Sequence, residues 1–190
     1  VTYVGELGWE LYIPCEFAQD LYDRLLEAGQ DHGLKHAGMH ALNSLRLEKA
    51  YRHWGHDITD EDTPLEAGLS FAVAWDKPGG FIGREALNRK KEEGILKKRM
   101  VQFALKDPQP LLYHNEPIWC GNKIVGETTS GMYGHSIGNC LGMGYIENPD
   151  GASKEWVESE NFEIEVAGER FPAKASLKSF YDPTNLRIKK

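Results

Sequence analysis

The chain has 190 residues, 41% hydrophobic and 11% aromatic, which is ordinary for a globular protein with a packed core and too apolar for a disordered one. A formal net charge of −7 argues against sequence-independent nucleic-acid binding, which needs clustered lysine and arginine to displace counterions. No apolar run approaches the roughly 18–20 residues of a membrane span and no signal-peptide pattern opens the chain, so neither nucleic acid nor membrane is expected as a partner.

The first informative stretch is Tyr3 to Pro14. From Trp9 onward it alternates, with Trp9, Leu11 and Ile13 on one face of a predicted strand and Glu10 and Tyr12 on the other. Gly5 and Gly8 bracket a tight turn that folds Tyr3 back toward Glu10. Two phenols and a carboxylate would then line one pocket, a combination suited to a flat, nitrogen-rich heterocycle. The rings supply walls, and the acid accepts paired N–H donors from an amino-pyrimidine edge. The plainer reading is a half-buried strand with Glu10 facing water. Val1 is not an initiator methionine and the motif begins two residues later, so the chain is read as a piece of a longer polypeptide.

After Pro14 the spacing turns helical: Phe17, Leu21, Leu25 and Ala18, Tyr22, Leu26 predict an amphipathic helix packed on the first strand and ended by Gly29 and Gly33. Met39 to Lys49 predicts a second helix, with Met39, Leu42 and Leu45 inward and Arg46 and Lys49 on another side. His53 and His56 with Asp57 form an H-x-x-H pair lacking a convincing third ligand, so no metal site is predicted. The acidic run Asp57 to Asp62 lacks the glycine of a calcium loop and reads as solvated. Ser70 to Trp75 alternates as a strand with an aromatic face, and Asp76 to Leu87 reads as a turn entering a charged helix that closes near Gly94. Its Gly79-Gly80-x-x-Gly83 does not match a dinucleotide fingerprint, so no FAD or NAD site is read here.

From Arg99 the chain becomes short strands: Val101, Phe103 and Leu105 alternate, followed by Pro117 to Cys120, Lys123 to Thr128, Leu141 to Ile146, Phe162 to Val166 and Arg170 to Leu177. Gly131, Gly134 and Gly138 mark a long connection. A small antiparallel barrel is predicted, with the domain boundary at the basic cluster Lys97-Lys98-Arg99. Cys15, Cys120 and Cys140 are odd in number and lack C-x-x-C pairing, which argues against a disulfide framework and for a reducing compartment.

Five phrases in order, Tyr3-x-Gly-Glu-x-Gly-x-Glu10, Ser44-Leu-Arg-Leu-Glu48, Thr63-Pro-Leu-Glu-Ala-Gly-Leu69, Phe81-Ile-Gly-Arg-Glu-Ala-Leu87 and Gly126-Glu-Thr-Thr-Ser-Gly131, resemble the glycine-cleavage T-protein (aminomethyltransferase) family. Glu48-Lys-Ala-Tyr-Arg-His-Trp54 and Lys178-Ser-Phe-Tyr-Asp-Pro183 are similar to the folate-binding region of sarcosine and dimethylglycine dehydrogenases. The resemblance implies an α+β fold, with residues 1–96 the latter part of a folate-binding domain and 97–190 a C-terminal antiparallel β-barrel. It implies tetrahydrofolate as cofactor, an upstream flavin-dependent oxidoreductase domain holding FAD, and bacterial cytoplasm or mitochondrial matrix as location. It carries folate contacts onto Tyr3 and Glu10, with Leu11 and Tyr12 beside the acid and Phe71 as a further aromatic contact. The family's catalytic aspartate lies upstream, so no catalytic residue is assigned here.

Two family positions depart: a folate-contacting arginine falls on Leu42, for which His40 or Arg46 is the available substitute, and a terminal tyrosine falls on Leu186. The function implied is capture of a one-carbon unit as 5,10-methylenetetrahydrofolate. The alternatives are glycine-cleavage aminomethyl transfer or a related folate-dependent demethylation, and a non-catalytic regulatory or scaffold module of the same fold.

Overall fold

The computed structural model describes residues 2–189. Six antiparallel strands close into a barrel: β1 (Lys98–Leu105), β2 (Pro117–Cys120), β3 (Lys123–Gly134), β4 (Asn139–Glu147), β5 (Phe162–Val166) and β6 (Glu169–Ser176), in the order β1-β4-β3-β2-β5-β6. Closure leaves no strand edge unpaired. The alternation of β1 works as expected, with Val101, Phe103 and Leu105 joining Ile118, Phe162 and Ile164 in the barrel core. Its other face is buried too. Met100 and Ala104 pack with Leu47, Ala50, Leu141 and Met143, and Gln102 bonds Leu47 O and Phe180 N.

That second face receives α2 (Met39–Glu48), the helix that ties the first half of the chain to the barrel. Ser44 donates to Tyr133 O at 2.7 Å, and Glu48, almost fully buried, accepts the backbone N–H groups of Ser136 and Ile137 in the β3–β4 turn. The helix buries its last turn, whereas Met39 is exposed; the expected inward face is thus rotated toward Ser44 and Leu47.

Several expectations need correction. The long connection is short: β3 runs on through Gly131 and Gly134, leaving only 135–138 as a turn. Gly131 is required there because a Cβ would lie 2.4 Å from Leu112 C. The Trp9–Ile13 stretch forms no strand, and α1 (Ala18–Gly29) buries no residue and packs on no strand among the described residues. Ser70–Ala72 is a 3-10 turn rather than part of a strand. Helix α3 (Arg84–Glu92) forms as expected, while α4 (Lys154–Ser159), capped by Ser153 accepting from Trp156 N, was not foreseen.

The acidic run is not simply solvated. Asp57 is completely buried, and Asp62 and Glu66 pin the run to its surroundings through Lys98 (2.8 Å) and Lys90 (2.6 Å). Burial pushes both carboxyls up. For Asp62 the hydrogen bonds from Lys98 and Thr59 outweigh burial, and for Glu66 those from Lys90 and Thr63 do, holding each below its ordinary value. A carboxyl depressed in the fold gives stability that is complete above its unfolded value, about pH 4, and is lost as pH falls through the folded one. The urea midpoint is therefore expected to decline below about pH 4, and Glu66→Gln to shallow that decline. A midpoint that rises on acidification would contradict the assignment.

Candidate functional site

The site starts from a turn. Gly5 N donates to Thr2 O at 2.9 Å, and Gly5 adopts φ +74° hard against Lys49, where a Cβ would lie 2.2 Å from Lys49 Cγ. Only glycine lets the turn sit this close to the end of α2. Tyr3 is thereby laid beside Tyr51, ring centroids 6.4 Å apart and 27° from parallel, and its hydroxyl donates to Arg52 O at 3.0 Å. Burial raises the Tyr3 phenol, Arg46 pulling it down and Asp57 pushing it up, so it stays a donor.

Tyr3 and Tyr51 form one wall of a cleft of about 630 Å³, in the range of small-molecule sites. Phe71, at 85% exposure, lines the same cleft, as do Arg52, Leu69 and Lys178. Arg52 is anchored by its Nε donating to Ala67 O at 3.0 Å, and burial lowers its guanidinium against the opposing field of Asp57. The C-terminal segment closes one end: Lys49 Nζ donates to Asp182 O (2.8 Å), Asp182 Oδ2 (3.2 Å) and Asn185 Oδ1 (2.8 Å), and Tyr181 donates to Glu6 at 3.2 Å. Lys49, expected on an open helix face, is buried in this clasp.

Two residues predicted from distant phrases, Tyr3 and Phe71, thus share one cleft. Glu10, Leu11 and Tyr12 do not line it. Tyr12 donates to Glu10 at 2.8 Å, so the two do share a side of the stretch, but that stretch is exposed, Tyr12 at 89%. Among the described residues no aspartate or glutamate lines the cleft, so its walls fit a flat aromatic ring while the carboxylate expected at the ring edge stands outside. Arg46 is also elsewhere. Its guanidinium is buried and bonds Asp57 Oδ2 (2.7 Å), Ser130 Oγ (2.7 Å) and Tyr51 O (3.1 Å), lining a separate hollow. The sequence reading missed Tyr51 and Arg52 as cleft residues, although Tyr51-Arg52 lies within the phrase that carried the dehydrogenase resemblance.

A closed barrel joined through the buried last turn of α2 to a first half of helices and turns, with an aromatic cleft at the join, fits an aminomethyltransferase-type module. The profile described as "GCVT N-terminal domain" matches residues 1–77, and "Glycine cleavage T-protein C-terminal barrel domain" matches residues 98–182. The chain belongs to the glycine cleavage T-protein family. It is 47% identical over 189 residues to a 4-methylaminobutanoate oxidase (formaldehyde-forming) of Paenarthrobacter nicotinovorans, covering 100% of this chain and 22% of that protein. It is 40% identical over 191 residues to human mitochondrial sarcosine dehydrogenase, covering 100% of this chain and 21% of that protein. The crystal structure of glycine cleavage system aminomethyltransferase T from Bartonella henselae superposes with a TM-score of 0.80 at 26% identity, over 98% of this chain and 48% of that one. The chain spans about a fifth of the length of the two oxidoreductase relatives.

Proposed function

We propose that the chain is the tetrahydrofolate-binding portion of a sarcosine- or dimethylglycine-dehydrogenase-type enzyme. The observation that supports it most is the meeting of Tyr3 and Phe71 in one aromatic cleft, at positions where the family places folate contacts. The relatives named as a sarcosine dehydrogenase and as a formaldehyde-forming methylaminobutanoate oxidase point to one-carbon units released from N-methyl amines. Tetrahydrofolate, when bound, supplies two nitrogen nucleophiles that take up such a unit as 5,10-methylenetetrahydrofolate.

The chain's own contribution is to bind, orient and exclude water. Tyr3, Tyr51 and Phe71 would supply aromatic surface for the ring and Lys178 a cation for an anionic tail. Glu10, which accepts from Tyr12, would offer a carboxylate to the amino edge of the ring. Positioning of this kind supplies much of the acceleration when a reactive unit must meet an acceptor before water does. The oxidation belongs to an upstream flavin domain with FAD, the catalytic aspartate to a segment upstream, and the whole to bacterial cytoplasm or the mitochondrial matrix. No helix among the described residues is long and apolar enough to cross a membrane.

Calorimetric titration with 5-formyltetrahydrofolate tests the reading. Saturable binding that weakens in Glu10→Gln is expected, and absence of any binding heat would overturn it.

A further inference from the structure

The H-x-x-H pair that the folate reading leaves unused lies in a second cavity. A hollow of about 160 Å³, separate from the aromatic cleft, is lined by His40 from the first turn of α2, His53 and His56 from the loop after it, and His114 from the segment before β2. These are four of the chain's seven histidines. The rest of the polar lining is Asn43, Arg46, Tyr113, Thr129 and Ser130, and none of the chain's 29 acidic residues is among the lining residues.

In a protein of net charge −7, a wall with four imidazoles, an amide, hydroxyls and a guanidinium and no carboxylate is built to donate. Two acids lie close behind it and both are hydrogen-bonded: Asp57, fully buried, accepts from Arg46, from His53 N at 2.8 Å and from Thr129, and Glu116 accepts from Tyr113 N at 2.7 Å and from the Thr128 hydroxyl. The His53 and His56 rings meet edge to face at 4.8 Å, and His53 Nδ1 is buried without a hydrogen-bond partner among the described residues. A buried ring nitrogen left unpaired costs free energy that a bound group can recover. The volume is that of about five water molecules, which limits an occupant to a compact molecule.

The geometry points to a binding site for a small oxyanion of the carboxylate or phosphate class, held between the imidazoles of His53, His56 and His114. The charged groups around the imidazoles are Arg46 and Asp57, paired with each other, and Glu116, whose carboxylate is held by Tyr113 N and the Thr128 hydroxyl. The hollow shares no lining residue with the aromatic cleft, so failure of this site would leave the cleft untouched.

The test is a site-resolved NMR titration of the imidazole C–H signals of the full chain with sodium acetate and, separately, sodium phosphate, against sodium chloride at equal ionic strength. Saturable shifts confined to His40, His53, His56 and His114 are expected. Saturation by acetate alone assigns the carboxylate class, and by phosphate alone the phosphate class. His53→Gln is expected to abolish the shifts at the remaining hollow histidines, and the exposed His56→Gln to weaken binding without the folding risk. Equal shifts at His32 and His36, saturation by chloride, or unchanged affinity in both variants would overturn the site.

Discussion

Replacing Asp57 with alanine is expected to lower the unfolding free energy by about 3–5 kcal/mol, the cost of leaving a buried charge without its partner. Arg46 and Asp57 are both nearly inaccessible, their side chains at 6% and 0% exposure, and the pair joins α2 to strand β3 through Ser130 and Thr129. Removal of the carboxylate leaves the guanidinium with three neutral acceptors, Asn43 Oδ1, Tyr51 O and Ser130 Oγ, and uncovers the N–H of His53. Against a total stability of about 5–15 kcal/mol for a domain, that is a large fraction. Asp20→Ala is the control, because the Arg24–Asp20 pair is equally short at 2.8 Å but stands 73% and 65% exposed. An exposed pair of this kind is worth about 0–1 kcal/mol. Urea denaturation of the two variants measures the contrast, and a loss below about 1 kcal/mol at Asp57 would contradict the role given to the pair.

Truncating Phe71 to alanine is expected to weaken 5-formyltetrahydrofolate binding by about tenfold or more. Stacking of a heteroaromatic ring on an aromatic side chain is worth about 1–3 kcal/mol, and about 1.4 kcal/mol corresponds to a factor of ten. Because Phe71 is largely exposed, its loss should change stability by no more than about 0.5 kcal/mol, so a lost affinity cannot be blamed on unfolding. Tyr3→Ala should act on affinity similarly, while Tyr3→Phe, which keeps the ring and gives up only the bond to Arg52 O, should act less. Calorimetry on the three variants checks the ranking. Equal affinity across them would remove the cleft from the account.

The barrel was legible in the sequence because each of its strands announces itself locally, by alternation in Val101-Gln-Phe103-Ala-Leu105 or by turn residues such as Gly121-Asn122. Its closure conceals what alternation cannot show: β1 buries both faces, so Gln102 reads as solvent-facing but lies under α2. Glycine misled in β3, where Gly131 signals the close passage of the Leu112 backbone rather than a loop. At Trp9 to Ile13 the alternation is real, as the Glu10–Tyr12 bond shows, but a period of two says nothing of whether a neighbouring strand exists. Ser70 to Trp75 failed differently, because a five-residue alternation is too short to separate a strand from a turn. Charge counting made Asp57 look solvated, since its partner sits eleven positions earlier on a helix. The pairing of Tyr3 with Phe71 came from family phrases, and Tyr51 with Arg52 emerged only when the turn at Gly5 was seen to press on Lys49.

The most direct measurement is a crystal structure of the protein soaked with 5-formyltetrahydrofolate. The account predicts the pteridine ring between the Tyr3–Tyr51 wall and Phe71, with Glu10 turned to its amino edge. A ring bound away from both aromatic walls would contradict it.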